Sequence, residues 1–213
     1  ERSRHLIEGL SQSRFPICLI DRYLPGLDVD VVASDNDDIG YRLTKALLER
    51  GHRQVCFVGP SVPGLTTVSD RLAGFRRALS EAKIGPADQT IMYADPVFDS
   101  FRHADPVFNS FRHPFCEAMA HHSHPTGFVC TNEYLALCLA EHLASLGYSI
   151  GANVELATPY DDYISEPETT PMIKIAQDAH GIGLRSAQLL LARIEDPDRP
   201  VQREFLKAGP IVL

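Results

Sequence analysis

Apolar residues along the chain fall into two alternating patterns: short unbroken runs, and longer stretches in which they recur every three or four positions. The runs at 16–20 (PICLI), 29–33, 54–58 (QVCFV), 90–93, 127–130 and 154–157 have the length of buried strands. Between them, Ile39, Leu43, Ala46 and Leu47 share one helical face that ends at Gly51, behind a cluster of good caps at Ser34, Asp35 and Asn36. Leu72, Phe75, Leu79 and Ala82 share another, over about 69–82, with Gly85 beyond its end. Residues 3–11 read as the last turns of a helix and 179–194 as one more helix. A polar loop is expected at 158–171, then a short extended segment at 173–175, an edge-like strand at 201–206 and a last apolar segment at 211–213.

The stretch 125–147 (PTGFVCTNEYLALCLAEHLASLG) shows the repeating unit in full. An apolar strand stops at Thr131 and Asn132, whose side chains can accept from the free N–H groups of the following turn, with Glu133 favoured by the helix dipole. Leu135, Leu139, Leu143 and Leu146 then repeat at helical spacing until Gly147 offers a C-terminal stop. Strands alternating with helices in this way predict an α/β fold, with parallel sheets carrying helices on both faces through right-handed crossovers. One feature breaks the alternation: ADPVFDSFRH at 94–103 recurs as ADPVFNSFRH at 104–113. Two copies of so short a unit are too few for a solenoid, and a local duplication in a surface connection, where added length costs little entropy, is the expected reading.

Composition is that of an ordinary globular protein, 44% hydrophobic and 23% charged. The formal net charge of −8 argues against the chain's own surface gripping nucleic acid, which needs a basic face. Cys18, Cys56, Cys116, Cys130 and Cys138 are odd in number, and several fall within predicted elements, so small buried hydrophobes in a reducing cytoplasm are expected rather than a disulfide framework. No apolar run is long enough to span a membrane.

Motifs of catalysis and metal binding are sparse. The segment 59–66 (GPSVPGLT) lies between a strand and a helix, as a phosphate-binding loop would, but Leu65 stands at the lysine position and Pro60 and Pro63 lack N–H donors. His121, His122 and His124 are spaced so that a helix cannot bring all three to one face, and they read as residues near a helix end. The sequence carries no GxSxG, CxxC or HExxH motif, and neither a cofactor nor a metal is expected. More informative are polar residues at predicted strand ends: Asp21 after PICLI, Asn132 after GFVCT, and Asp161 within 160–162, with Arg71 in the first turn of the helix after 54–58. In open α/β sheets, ligands collect at the carboxyl ends of strands. Carboxylates, a carboxamide and a forked guanidinium converging there suit a hydroxyl-rich ligand.

The segments FPICLIDR (15–22), VVASDNDDIGYRLTKALLERGHRQVCFVGP (31–60), DRLAGFRRAL (70–79), PTGFVCTNEYLAL (125–137), PYDD (159–162) and IAQDAHGIGLRSAQLLLARI (175–194) together resemble the effector-binding region of the LacI/GalR family of bacterial transcription regulators. The resemblance implies a type I periplasmic-binding-protein-like fold, two α/β subdomains joined by three crossing segments and closing on a small, sugar-like effector. It also implies a cytoplasmic homodimer without catalysis, touching DNA only through a domain absent from this chain. Effector contacts of the family fall on Asp21, Arg71, Asn132 and Asp161, and an aromatic contact on Phe98, with Phe108 competing because of the duplication. Pro159 replaces a usual glycine beside Asp161. The family's helix-turn-helix and the central strands of its first subdomain have no counterpart here. The expected layout is therefore N-terminally truncated: a partial first subdomain from 1–34 and 179–204, and an essentially complete second from 35–178 and 205–213. Apolar edges such as 17–20 are expected to be exposed, leaving the isolated chain weakly stable or self-associating. A solute-binding protein of sugar transport and a small α/β enzyme using Asp161 and a histidine are the alternatives.

Overall fold

The computed structural model describes residues 2–86, 89–94, 115, 117–120, 124–160 and 170–213. In chain order these form α1 (Arg2–Gln12), β1 (Cys18–Ile20), β2 (Asp30–Ser34), α2 (Asn36–Glu49), β3 (Val55–Pro60), α3 (Thr66–Glu81), β4 (Thr90–Ala94) and β5 (Gly127–Cys130). There follow α4 (Glu133–Ser145), β6 (Glu155–Tyr160), β7 (Ile173–Ala176), α5 (Ala179–Glu195), β8 (Arg203–Leu206) and β9 (Ile211–Val212). Two sheets result among the described residues, one in the order β1-β2-β8 and one in the order β4-β3-β5-β6-β7-β9. All pairings are parallel except that of β7 with β9.

The larger sheet is buried on both faces at β3 and β5, which is why those two strands read as nearly continuous apolar runs. Val55 and Phe57 of β3 face α2 and α3, together with Val129, Ala157, Ile173 and Ile175. Cys56 and Val58 point the other way, into a cluster with Phe128, Leu156, Leu139 and Leu143, closed by Phe115 and Met119 from the helical residues before β5. Cys56, Cys130 and Cys138 are free and buried, and burial pushes the thiols of Cys56 and Cys130 up, so they remain protonated packing residues. Cys116 and the repeat at 95–113 lie outside the described residues.

Helices α2 and α3 pass so close that backbone meets backbone. A Cβ on Gly40 would stand 2.0 Å from the Arg71 carbonyl oxygen, and one on Gly74 1.9 Å from that of Asp37. The two glycines are reciprocal, each opposed to the other helix's main chain, so the crossing has no slack for a methyl group. Arg71 is thereby fixed against the start of α2.

Three segments pass between the sheets, at 34–36, 177–178 and 207–210. They are stitched to one another by Asp35 N–H donating to Leu206 O at 2.8 Å and Gly209 N–H to Ala176 O at 2.9 Å. Ser34 Oγ meets Gln177 Oε1 at 3.3 Å. Arg42 of α2 donates to the carbonyls of Ala208 and Gly209, at 3.1 and 2.7 Å. Lys207 binds the Asp35 carboxylate at 2.7 Å. Burial alone would raise the pKa of Asp35, but Lys207 and the Asp38 N–H outweigh it and hold the carboxyl below its usual value.

The smaller sheet has little beneath it: Val32, Ile182 and Leu189 form its buried cluster, with Cys18 and Leu206 packed partly against them. Arg193 of α5 grips the buried Asp30 carboxylate through Nε and Nη2, both at 3.0 Å. Strand β1 is a sheet edge and Ile20 is 55% exposed, while Leu184, Leu191 and Ile194 stand out from α5. Several boundaries differ from the sequence expectation, among them those of β1, α3 and β6. The strand at 16–20 is paired only from Cys18, helix α3 begins at Thr66 rather than near 69, and β6 runs on through Tyr160 into the expected loop. The last extension is compatible with Pro159, because the pairing of β6 with β5 ends at Ala157 and only β7 flanks the proline.

Replacing Gly74 with Ala is expected to destabilise the chain by about 3 kcal/mol or more, at the upper end of overpacking effects, read as a lowered urea midpoint. Amide hydrogen exchange should be faster in β1, β2 and α5 than in β3 and β5, since the former cover a small cluster and the latter are buried on both faces. Equal protection of the two sheets would contradict that ordering.

Candidate functional site

The carboxyl ends of both sheets meet at the crossing segments, and Arg71 is the side chain that joins them. It lies in the second turn of α3, not the first, because the helix starts earlier than its apolar spacing suggested. It is 7% exposed. Its Nε donates to Asn36 Oδ1 at 2.8 Å, its Nη1 to the carbonyl oxygen of Thr131, and its Nη2 to Gln177 Oε1 at 2.6 Å. These acceptors belong to the first crossing segment, the end of β5 and the second crossing segment. Asn36 is oriented in turn by donating to Ser34 O at 3.1 Å. The planar guanidinium, with donors in a fixed fork, suits a site where several segments must be held in one register.

Asn132 sits where the sequence pattern put it, as the N-cap of α4, accepting from Leu135 N–H at 2.9 Å through Oδ1. That bond uses the amide oxygen, and the residue is exposed at the strand end. The preceding residue, Thr131, is the one whose carbonyl Arg71 holds. Arg71 and Asn132 are therefore brought together. Asp21 is at the end of β1 with φ +64, its N–H bonded to Val32 O at 3.0 Å and its carboxylate 3.4 Å from Arg22 Nε. Neither of these contacts joins it to Arg71 or Asn132; two residues on, Tyr23 reaches α3, its N–H donating to Thr66 Oγ1 at 3.2 Å and its hydroxyl to Asp70 Oδ2 at 2.9 Å. Burial, then the Asp70 carboxylate, pushes the Tyr23 hydroxyl up to about 12, so it stays a donor and spans the two sheets. Asp161, Phe98 and Phe108 lie outside the described residues.

Sequence reasoning missed four participants. Ser34 and Asn36 were read only as caps, a role that Asp35 takes, accepting from Asp38 N–H at 3.0 Å. Gln177 and Tyr23 carry no local signal, since each matters only through partners more than forty positions away. Among the described residues, no group of three or more His, Cys, Asp or Glu side chains is placed to hold a metal ion, and no helix is long and apolar enough to cross a membrane.

Arg71→Ala is expected to cost about 3 kcal/mol of ligand-free stability, because the buried Asn36 and Thr131 acceptors and the half-buried Gln177 acceptor lose a charged donor. A melting temperature unchanged from wild type would show that these contacts do not hold the crossing segments.

Residues 44–212 match the family described as the periplasmic binding protein-like domain. The HTH-type transcriptional repressor PurR of Vibrio cholerae serotype O1 (strain M66-2) is 29% identical over 193 residues, covering 86% of this chain and 51% of the repressor. The ribose operon repressor of Haemophilus influenzae is 26% identical over 188 residues, covering 86% and 52%. The chain thus spans about half the length of the curated relatives it matches. A LacI family transcriptional regulator from Enterococcus faecium, solved with bound ribose, superposes with a TM-score of 0.78 at 24% identity over 97% of this chain and 72% of that one. The transcriptional regulator CelR in complex with cellobiose gives 0.76 at 22% identity, over 96% and 59%. These likenesses establish the shared fold, and with the family match they account for the two parallel sheets and the three segments between them. The chain belongs to the periplasmic binding protein-like domain family.

Proposed function

We propose that this chain is the sensing part of a LacI-type transcription regulator and binds a small, sugar-like effector between its two sheets, without turnover. The observation that carries this reading is the Arg71 cluster. One buried guanidinium is bonded at once to both the first and the second crossing segment and to the strand end beside Asn132. A ligand that offers acceptors to Arg71 shares its five N–H donors with those segments, so its affinity depends on how the segments, and with them the sheets, are placed around the guanidinium. An effector with different affinity for two angles shifts their populations, and that shift is the signal. In the whole regulator, a homodimer in the cytoplasm, the angle would set the spacing of DNA-binding heads carried outside this chain. Asp21, Arg71, Asn132, Asp161 and Phe98 are the proposed effector contacts, with the partial subdomain of 1–34 and 179–204 opposing that of 35–178 and 205–213. Support for a sugar comes from the bound ribose and cellobiose of the structural neighbours and from the ribose operon repressor among the curated relatives.

A thermal-shift panel of D-ribose, cellobiose, sugar phosphates and nucleobases tests the reading. At least one sugar should raise the melting temperature saturably, with no chemical change to the ligand, and Arg71→Ala should lose most of the shift. Stabilisation that survives Arg71→Ala in full would move the effector site elsewhere.

A further inference from the structure

We propose that the Thr131 hydroxyl is a specificity-determining contact of the effector site, a buried hydrogen-bonding group that finds no partner among the described residues of the ligand-free fold and is matched by a hydroxyl of the ligand. The proposal rests on the sugar-sensing reading above and adds to it a residue and a ligand chemistry.

Thr131 is 2% exposed, and its Oγ1 is buried without a hydrogen-bond partner. Every other group of the residue is committed. Its N–H donates to Val58 O at 2.9 Å, extending the pairing of β5 with β3. Its carbonyl accepts from Arg71 Nη1. Its methyl lies against Gly59, where a Cβ would come within 3.0 Å of it and 3.4 Å of Val68 Cγ1. The methyl branch thus takes the apolar contact between β3 and α3, and the hydroxyl branch takes none. Valine would fill the same volume without burying a polar atom, so the hydroxyl is a cost to the ligand-free fold.

Its place in the fold gives that cost a use. Thr131 stands between the carbonyl that anchors Arg71 and the Asn132 cap, at the carboxyl end of a central strand. Another buried atom without a partner, Gln202 Oε1, precedes β8 at the opposite end of its sheet and has no such setting. A hydroxyl both donates and accepts, so it favours a ligand hydroxyl, which can answer either way, over an apolar or acceptor-only group. A site that leaves such a group open discriminates against ligands lacking the matching function.

Thr131→Val and Thr131→Ser separate this role from a packing role. In the ligand-free chain, Thr131→Val should melt at or above the wild-type temperature. Titrated with D-ribose, cellobiose and each panel member that binds wild type, Thr131→Val should bind about tenfold more weakly or worse, while Thr131→Ser stays near wild type. A ligand-free melting temperature that falls by several degrees in Thr131→Val would mean that the fold itself uses the hydroxyl, through ordered water, and would overturn the proposal. Unchanged affinity in Thr131→Val would overturn it equally. Wild type that binds no hydroxyl-bearing panel member sinks the sugar reading and this assignment with it, whereas a loss specific to Thr131→Val leaves the broader reading standing and locates the contact.

Discussion

The contact of bare backbone between α2 and α3 at Gly40 and Gly74 is the constraint from which the site follows. Each helix presents a glycine to the other's carbonyl, so the pair has one closest approach and one register. That register brings the Arg71 carbonyl against Gly40 and sends the Arg71 side chain to Asn36, one turn before Gly40 on α2. A guanidinium on a long, flexible stem is placed to within hydrogen-bond tolerance because its own backbone cannot slide. The same crossing seats both helices on one face of the larger sheet, over Phe57 and Val129. The geometry of the sensor and the stability of its larger half therefore have a common origin.

The two halves contrast in how they are held. The larger sheet relies on burial over both faces, with Phe57, Phe128, Leu43 and Leu143 wholly removed from water. The smaller relies more on directed bonds, the Arg193 clasp on Asp30 and the Arg185 pair with Glu204, around a cluster of few residues. Apolar burial scales with area and tolerates small shifts, whereas a bidentate ion pair tolerates little change in orientation. Any change of angle between the halves is thus expected in the crossing segments, whose ties are individual hydrogen bonds, the grip of Arg42 and the exposed Lys207 pair, rather than within either sheet.

Much of this was legible in the chain. Continuous apolar runs announced strands buried on both faces, and the Thr131-Asn132 junction with Glu133 behind it gave the start of α4, because caps and periodicity are local properties. The start of α3 was misread for a related reason: Leu65 offers no capping side chain, so nothing in the text marks Thr66 as the first helical residue. Arg71 and Asn132 were legible as strand-end polar groups and are neighbours in the fold. What was not legible was the linkage. Gln177 meets Arg71 across a separation of 106 positions, and Tyr23 meets Asp70 across 47, and neither distance leaves a periodic trace. The closeness of Gly40 to Gly74 was equally silent, since a helical glycine reads as a weakness until its opposite number is seen.

The ties among the crossing segments also differ in how solvent ions see them. Lys207 is 69% exposed where it binds Asp35, so dissolved salt screens that attraction. The contact of Ser34 with Gln177 and the backbone bonds beside it join neutral groups and are indifferent to salt. Raising ionic strength therefore weakens one tie of the third crossing segment, while the backbone bonds of Asp35 to Leu206 and of Gly209 to Ala176 keep it joined to the first and second. Salt addresses the ionic part of the junction alone and leaves its neutral part in place.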